Sequence, residues 1–103
     1  MIRTFFGDAE RDFALGAKMI QELERTTGTG LGDLFAHLTT GNYRFAEITE
    51  TIRLGMIGGG TSPQEADALV RAYVATEGNP LIEAQILAAE ILTHLYVGNG
   101  AAE

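Results

Sequence analysis

Apolar and polar residues recur at two different periods along this chain, and the change of period near residue 16 divides it. Ile2 to Phe6 is rich in β-formers, Gly7 to Glu10 is polar and turn-like, and Arg11 to Leu15 alternates with Phe13 and Leu15 on one side. A β-hairpin is therefore predicted over residues 2–15. A lone hairpin is marginal in water, so it must lay Phe5, Phe13 or Leu15 on whatever follows. From Gly16 onward the period is helical. Gly16, Met19, Ile20 and Leu23 share a face, giving a first helix that ends near Thr27 and Gly28. Leu31, Leu34, Phe35 and Leu38 follow the i, i+3, i+4, i+7 template, so a second helix runs from Gly30 to Thr40, with Gly41 and Asn42 ending it.

The best-specified stretch is 49–70. Ile48, Ile52 and Met56 step by four with Ile57 beside them, one face of a third helix over Phe45 to Ile57. It runs out in Gly58, Gly59 and Gly60, which readily supply the left-handed geometry that closes a helix. Ser62, Pro63 and Glu65 then write a start signal: a capping hydroxyl, a proline at the first helical position, and a glutamate able to complete a capping box. The fourth helix aligns Ala66, Leu69, Val70, Tyr73 and Val74. Gly78 is expected to close it, Asn79 to cap the next helix and Pro80 to open it. The fifth helix, Leu81 to Val97, is apolar around most of its girth, with a narrow polar stripe of Glu83, Glu90 and His94. Such a helix is either central to the core or half of an intermolecular interface. The fold class expected is mainly α (α+β), a short N-terminal hairpin and five short helices in one compact bundle over residues 1–98, with 99–103 a disordered tail.

Composition narrows the function classes. At 103 residues the chain can bury a core without staples. Seven Lys plus Arg against fourteen Asp plus Glu give a net charge of −7 with no basic cluster, which disfavours nucleic acid as a partner. The absence of cysteine removes disulfides and thiolate metal sites and fits a reducing cytoplasm. No apolar run has the length of a signal peptide or a membrane span, so a cytoplasmic protein without a membrane partner is expected.

Individual motifs carry little chemistry. Gly28, Gly30 and Gly32 match neither dinucleotide nor Walker spacing, and an inter-helix turn is the better account. The backbone N–H groups near Ser62 suit an anion, but the first cation downstream is Arg71. Asp8, Glu10 and Asp12 open like a calcium loop, yet Phe13 and Met19 occupy the positions that need glycine and glutamate. Glu47 and Glu50 lie one turn apart on what should be the exposed side of the third helix, where Glu50 and Arg53 form an ion pair rather than an acid–base couple. His37 and His94 lack the spacing of metal ligands and are expected at the surface or its boundary. No catalytic, cofactor-binding or metal residue is therefore assigned, and no enzyme activity or cofactor is expected. What survives is apolar excess at Leu54, Met56, Ile57 and the glycines 58–60, and at Leu92, Leu95, Tyr96 and Val97, part of which is expected to face a partner.

The order of these features resembles a known family. Phe13 to Gly16 leads into a helix with Glu22 to Glu24. The turn and Leu-Phe helix of Gly28 to Leu38 follow, then the phrase Ile52 to Gly60, then Pro63-x-Glu65-Ala66 and Leu69-Val70-Arg71-x-Tyr73. This resembles the gene transfer agent family of small phage-type proteins, grouped with tail assembly chaperones, over about residues 4–98. The resemblance implies a non-enzymatic chaperone role during tail morphogenesis in a bacterial host cell, holding the hydrophobic tape measure protein soluble while tail tube subunits polymerise. The alternative it leaves open is a structural, tube-associated component retained in the particle. The partners implied are phage tail proteins, the tape measure and the tail tube, with a homo-oligomer also open. A groove formed by Leu54, Met56, Ile57 and Gly58, Gly59 and Gly60, or by Leu92, Leu95 and Tyr96, is expected to take an amphipathic partner helix.

Overall fold

The computed structural model describes residues 2–97. Its elements are β1 (Ile2–Phe6), β2 (Ala9–Phe13), α1 (Ala17–Thr27), α2 (Leu31–Thr40), α3 (Phe45–Gly58), α4 (Pro63–Tyr73) and α5 (Leu81–Val97). The expected hairpin and five helices are present. The tail expected at 99–103 lies outside the described residues.

The hairpin is tighter than the alternation suggested. β1 and β2 pair antiparallel with Ile2 opposite Phe13 and Phe6 opposite Ala9, leaving only Gly7 and Asp8 in the turn. Gly7 has φ +72 and Asp8 does not share that sign, the pattern of a II′ turn, whose twist matches the strands it joins. Period two then settles the faces. Ile2, Phe6 and Phe13 point to the helices and are buried, so of the three side chains that could have rested there Phe13 does, while Phe5 must point out and is 65% exposed. Leu15 falls beyond β2 and packs at the edge of the core.

α3 is the helix the others surround. Ile48, Thr51, Ile52, Leu54, Gly55 and Met56 are buried on it, and it touches α1, α2, α4, α5 and β2. The most apolar helix, α5, is not the central one. It buries Ala84, Ala88, Ile91 and Leu92 and leaves Ile82 and Ile86 exposed.

The three glycines after α3 serve different ends. Gly60, at φ +115, closes the helix: its N–H reaches the Ile57 carbonyl at 3.1 Å and the Thr61 N–H reaches Met56 at 2.9 Å. Gly58 and Gly59 are there because β2 and its exit cross them at backbone contact. A Cβ on Gly58 would stand 1.9 Å from the Ala14 oxygen, and one on Gly59 would stand 2.0 Å from the Asp12 oxygen. The Ala14 N–H donates to the Gly55 carbonyl at 3.0 Å beside them.

α4 opens as expected, with Ser62 Oγ accepting the Glu65 N–H at 3.2 Å and Pro63 in the first turn. The Glu65 carboxylate does not turn back to the cap; it pairs with Arg11 of the hairpin at 3.4 Å. α4 ends at Tyr73, before Gly78. The Asn79 amide donates back to the Ala72 carbonyl at 3.1 Å, so Asn79 closes α4 where it was expected to open α5, and Pro80 precedes α5 by one residue.

Gly58→Ala or Gly59→Ala should destabilise the protein by on the order of 3 kcal/mol, because the clash is with backbone that cannot change rotamer. Gly32→Ala, whose Cβ would meet only the Tyr96 hydroxyl at 3.6 Å, should instead stabilise by a few tenths to about 1 kcal/mol. Urea unfolding midpoints of the three variants check both signs.

Candidate functional site

Two places concentrate what chemistry the chain has: a buried polar cluster where α1, α2 and α3 meet, and the apolar surface around the hairpin and α5.

Glu47 is the centre of the first. It stands at the third position of α3 and is fully buried, where the spacing had placed it on an exposed face. The helix turns it inward beside Thr51, whose hydroxyl donates to the Glu47 carbonyl at 2.7 Å. Its carboxylate accepts the Arg44 N–H at 3.1 Å, the Thr29 hydroxyl at 3.2 Å and meets His37 Nδ1 at 3.0 Å. Arg44 Nη2 in turn donates to the Thr29 hydroxyl at 2.6 Å and to the Thr27 carbonyl at 3.1 Å. Burial pushes the Glu47 carboxyl up, but the donors from His37, the Arg44 amide and Thr29 outweigh it and hold it below the ordinary glutamate range. His37 is a boundary residue, as expected, with its ring turned in to Glu47.

This cluster also accounts for the glycine-rich turn. Gly28 closes α1 in the left-handed region at φ 67, and the Leu31 N–H at the start of α2 is taken by Glu24 Oε2 at 2.8 Å. A carboxylate of the chain itself therefore occupies the helix start where an anion would bind. Among the described residues no buried side-chain polar atom lacks a partner, and no group of His, Cys, Asp and Glu could hold a metal ion. With its buried polar atoms all partnered, the cluster ties α1, α2 and α3 together.

Several other carboxylates are paired with arginines. Glu50 is bridged by Arg53 at 2.6 and 3.0 Å, and the Arg53 hydrogen bond, opposed by partial burial, holds it below the usual range. Asp8 meets Arg11 at 2.7 Å, and Arg3 bridges Asp12 at 3.0 Å and Glu10 at 3.4 Å, so the acids of the hairpin serve its own arginines.

The side chains expected to form a partner groove differ in how far they reach the surface. Leu54, Met56 and Leu92 are core side chains, each at most 2% exposed. Ile57 is partly buried against the core, and Gly58 and Gly59 lie under the β2 exit. Leu95 and Tyr96 diverge. Leu95 lines a concavity of about 310 Å³ with Ile2, Leu15, Ile91 and His94. Tyr96, half exposed, lies on the other side against Phe35 of α2, ring centres 4.6 Å apart.

The open apolar surface lies elsewhere. Ile82 and Ile86, one turn apart and each 60% exposed, face outward from α5. A second concavity, about 210 Å³, opens between the hairpin tip and the start of α5, lined by Phe5, Gly7, Tyr73, Pro80 and Leu87. Tyr73 closes over the turn, edge-on to Phe6 with ring centres 6.1 Å apart. The apolar girth of α5 was the signal for the isoleucines. Phe5 had one too, since period two forces one of two adjacent phenylalanines outward. No helix among the described residues is long and apolar enough to cross a membrane.

Replacing the carboxylate by Glu47→Gln should cost about 1–3 kcal/mol at neutral pH. A carboxyl held below its unfolded value contributes stability above the ordinary glutamate range and loses it as pH falls through the lowered folded value. Thermal melts between about pH 6 and 3 should therefore fall less steeply for Glu47→Gln than for the unmodified chain.

Residues 1–98 match the family described as "Phage tail tube protein, GTA-gp10". No curated protein and no solved structure matches the chain.

Proposed function

This chain belongs to the phage tail tube protein family GTA-gp10, and we propose that within a phage-like particle it serves as a tube-associated tail component, retained after assembly. The observation that carries this is the match over residues 1–98, nearly the full chain, to a family described by its place in the tail. The surface is of a kind that suits the role. Its buried acid is consumed in tying helices together, and its open features are apolar side chains on α5 and at the hairpin tip, which suit contact with other proteins. In this reading the chain meets other tail proteins inside the host cell and leaves with the particle.

A second reading, a chaperone that releases the tape measure protein before the particle is finished, is favoured by one specific feature. The sheet among the described residues has only two strands, too little to close a ring of sheets by itself. An outward pair such as Ile82 and Ile86 is the kind of surface on which an amphipathic tape measure helix rests its apolar face.

Stoichiometry separates the two. Quantitative mass spectrometry of purified particles should find this chain at a fixed ratio to the tube subunit if it is a component. Its absence from particles, together with recovery of soluble tape measure protein only on co-expression with this chain, would establish the chaperone reading instead. In either case Ile82→Lys with Ile86→Lys should abolish co-purification of the tail partner while moving the melting temperature by no more than a few degrees, since both side chains are already in water.

A further inference from the structure

We propose that β1 pairs antiparallel with β1 of a second copy of this chain, centred on Thr4, so that two hairpins become one four-stranded sheet. The backbone supplies the reason. In a two-residue hairpin the residues flanking the turn, Phe6 and Ala9, exchange both hydrogen bonds, and by alternation so do Thr4 with Arg11 and Ile2 with Phe13. The N–H and C=O groups of Arg3 and Phe5 therefore point away from β2. No described residue hydrogen-bonds them.

The two edges of the hairpin are treated differently. The β2 edge is covered, with the Asp12 carbonyl against Gly59 and the Ala14 N–H bonded to Gly55. The β1 edge is open, and its Arg3 and Phe5 side chains are both more than half exposed. An open edge without proline or bulge is a template for another strand.

What selects a second copy is the order of residues in β1, Ile-Arg-Thr-Phe-Phe. With the two-fold axis at Thr4, Arg3 of each copy stands opposite Phe5 of the other. Both residues present outward backbone groups, so the two pairs exchange four hydrogen bonds. On the outer face each guanidinium lies beside an aromatic ring, a cation–π contact. On the inner face Ile2 meets Phe6 of the other copy and Thr4 meets Thr4. Moving the axis to Arg3 sets two guanidiniums opposite each other, and moving it to Phe5 runs Arg3 into the turn at Gly7. β1 carries one charge and it is positive, on a chain whose net charge is −7. The two acidic copies repel as wholes, so pairing should tighten as salt screens that repulsion. The pairing is independent of whether the chain stays in the particle.

The chain has no cysteine, which makes a cross-linking test direct. Opposed Thr4 residues form a non-hydrogen-bonded pair, with Cα atoms about 4.5 Å apart, within the reach of a disulfide. Under mild oxidation, full-length Thr4→Cys should form a disulfide-linked dimer about tenfold faster than Ala9→Cys, an exposed position on β2 that does not meet its counterpart. Adding Phe5→Lys, which sets a cation against Arg3 but removes no buried contact, should slow the Thr4→Cys reaction while leaving the melting temperature unchanged, and higher salt should speed it. The proposal is overturned if Thr4→Cys cross-links no faster than Ala9→Cys, or if Phe5→Lys leaves the rate unchanged. A mixed disulfide with a co-expressed tail protein in place of the homodimer would also overturn it, assigning the edge to a different strand.

Discussion

The hairpin is seated on the helices at one close backbone crossing. β2 and its exit pass over the end of α3 so closely that a single methyl group on Gly58 or Gly59 would sit well inside van der Waals contact with a carbonyl oxygen. That closeness is what makes the hairpin part of the domain. A two-stranded sheet does not hold itself together in water, and here it is held by the Ala14 to Gly55 hydrogen bond and by Phe13 packing beside Gly55. The crossing also determines which edge of the hairpin is free, because the covered edge belongs to β2. The exposure of the β1 backbone follows from it.

The opposite end of α3 is held by charge. Glu47 joins the α1–α2 turn, His37 on α2 and the first turn of its own helix through one carboxylate. A buried carboxylate is costly unless its lone pairs are filled, and here they are filled from three directions, which keeps it ionised despite burial. The central helix is thus anchored by close packing at its C-terminus and by a polar cluster at its N-terminus. The first resists substitution by any larger residue. The second is sensitive to acid.

Much of this was legible in the residues, and the parts that were not share a cause. Helix boundaries followed from capping and periodicity: Gly28 and Gly41 end their helices, and Ser62 with Pro63 starts α4. The glycine triplet was legible as a stop, but its closer reason is a tertiary crossing that no local pattern encodes. Glu47 was misplaced because a glutamate in the first turn of a helix reads as a surface residue, and its partners Thr29 and His37 arrive from 18 and 10 residues away. Leu54, Met56 and Leu92, part of an apolar excess that could be either core or partner surface, are core: apolar residues near a helix end suggest exposure only until their neighbours are known. Asn79 was expected to cap the helix ahead of it by accepting from its free N–H groups, and instead its amide donates to a carbonyl of the helix behind.

The contrast between α3 and α5 bears on how such a small chain works in an assembly. α3 carries a buried acid, two threonines and glycines, yet it is the core, because its neighbours satisfy every polar group it brings inside. α5 is more apolar and lies at the side, because a bundle of this size has only one interior and α3 occupies it. Surplus hydrophobicity on a peripheral helix contributes little to folding, since Ile82 and Ile86 remain in water in the isolated chain. Its benefit is realised when another protein covers it, at about 25 cal/mol for each square ångström removed from water. The net charge of −7 works against premature contact between copies while leaving those apolar stripes uncharged. In the tail role proposed above, neighbouring tail proteins would cover those stripes.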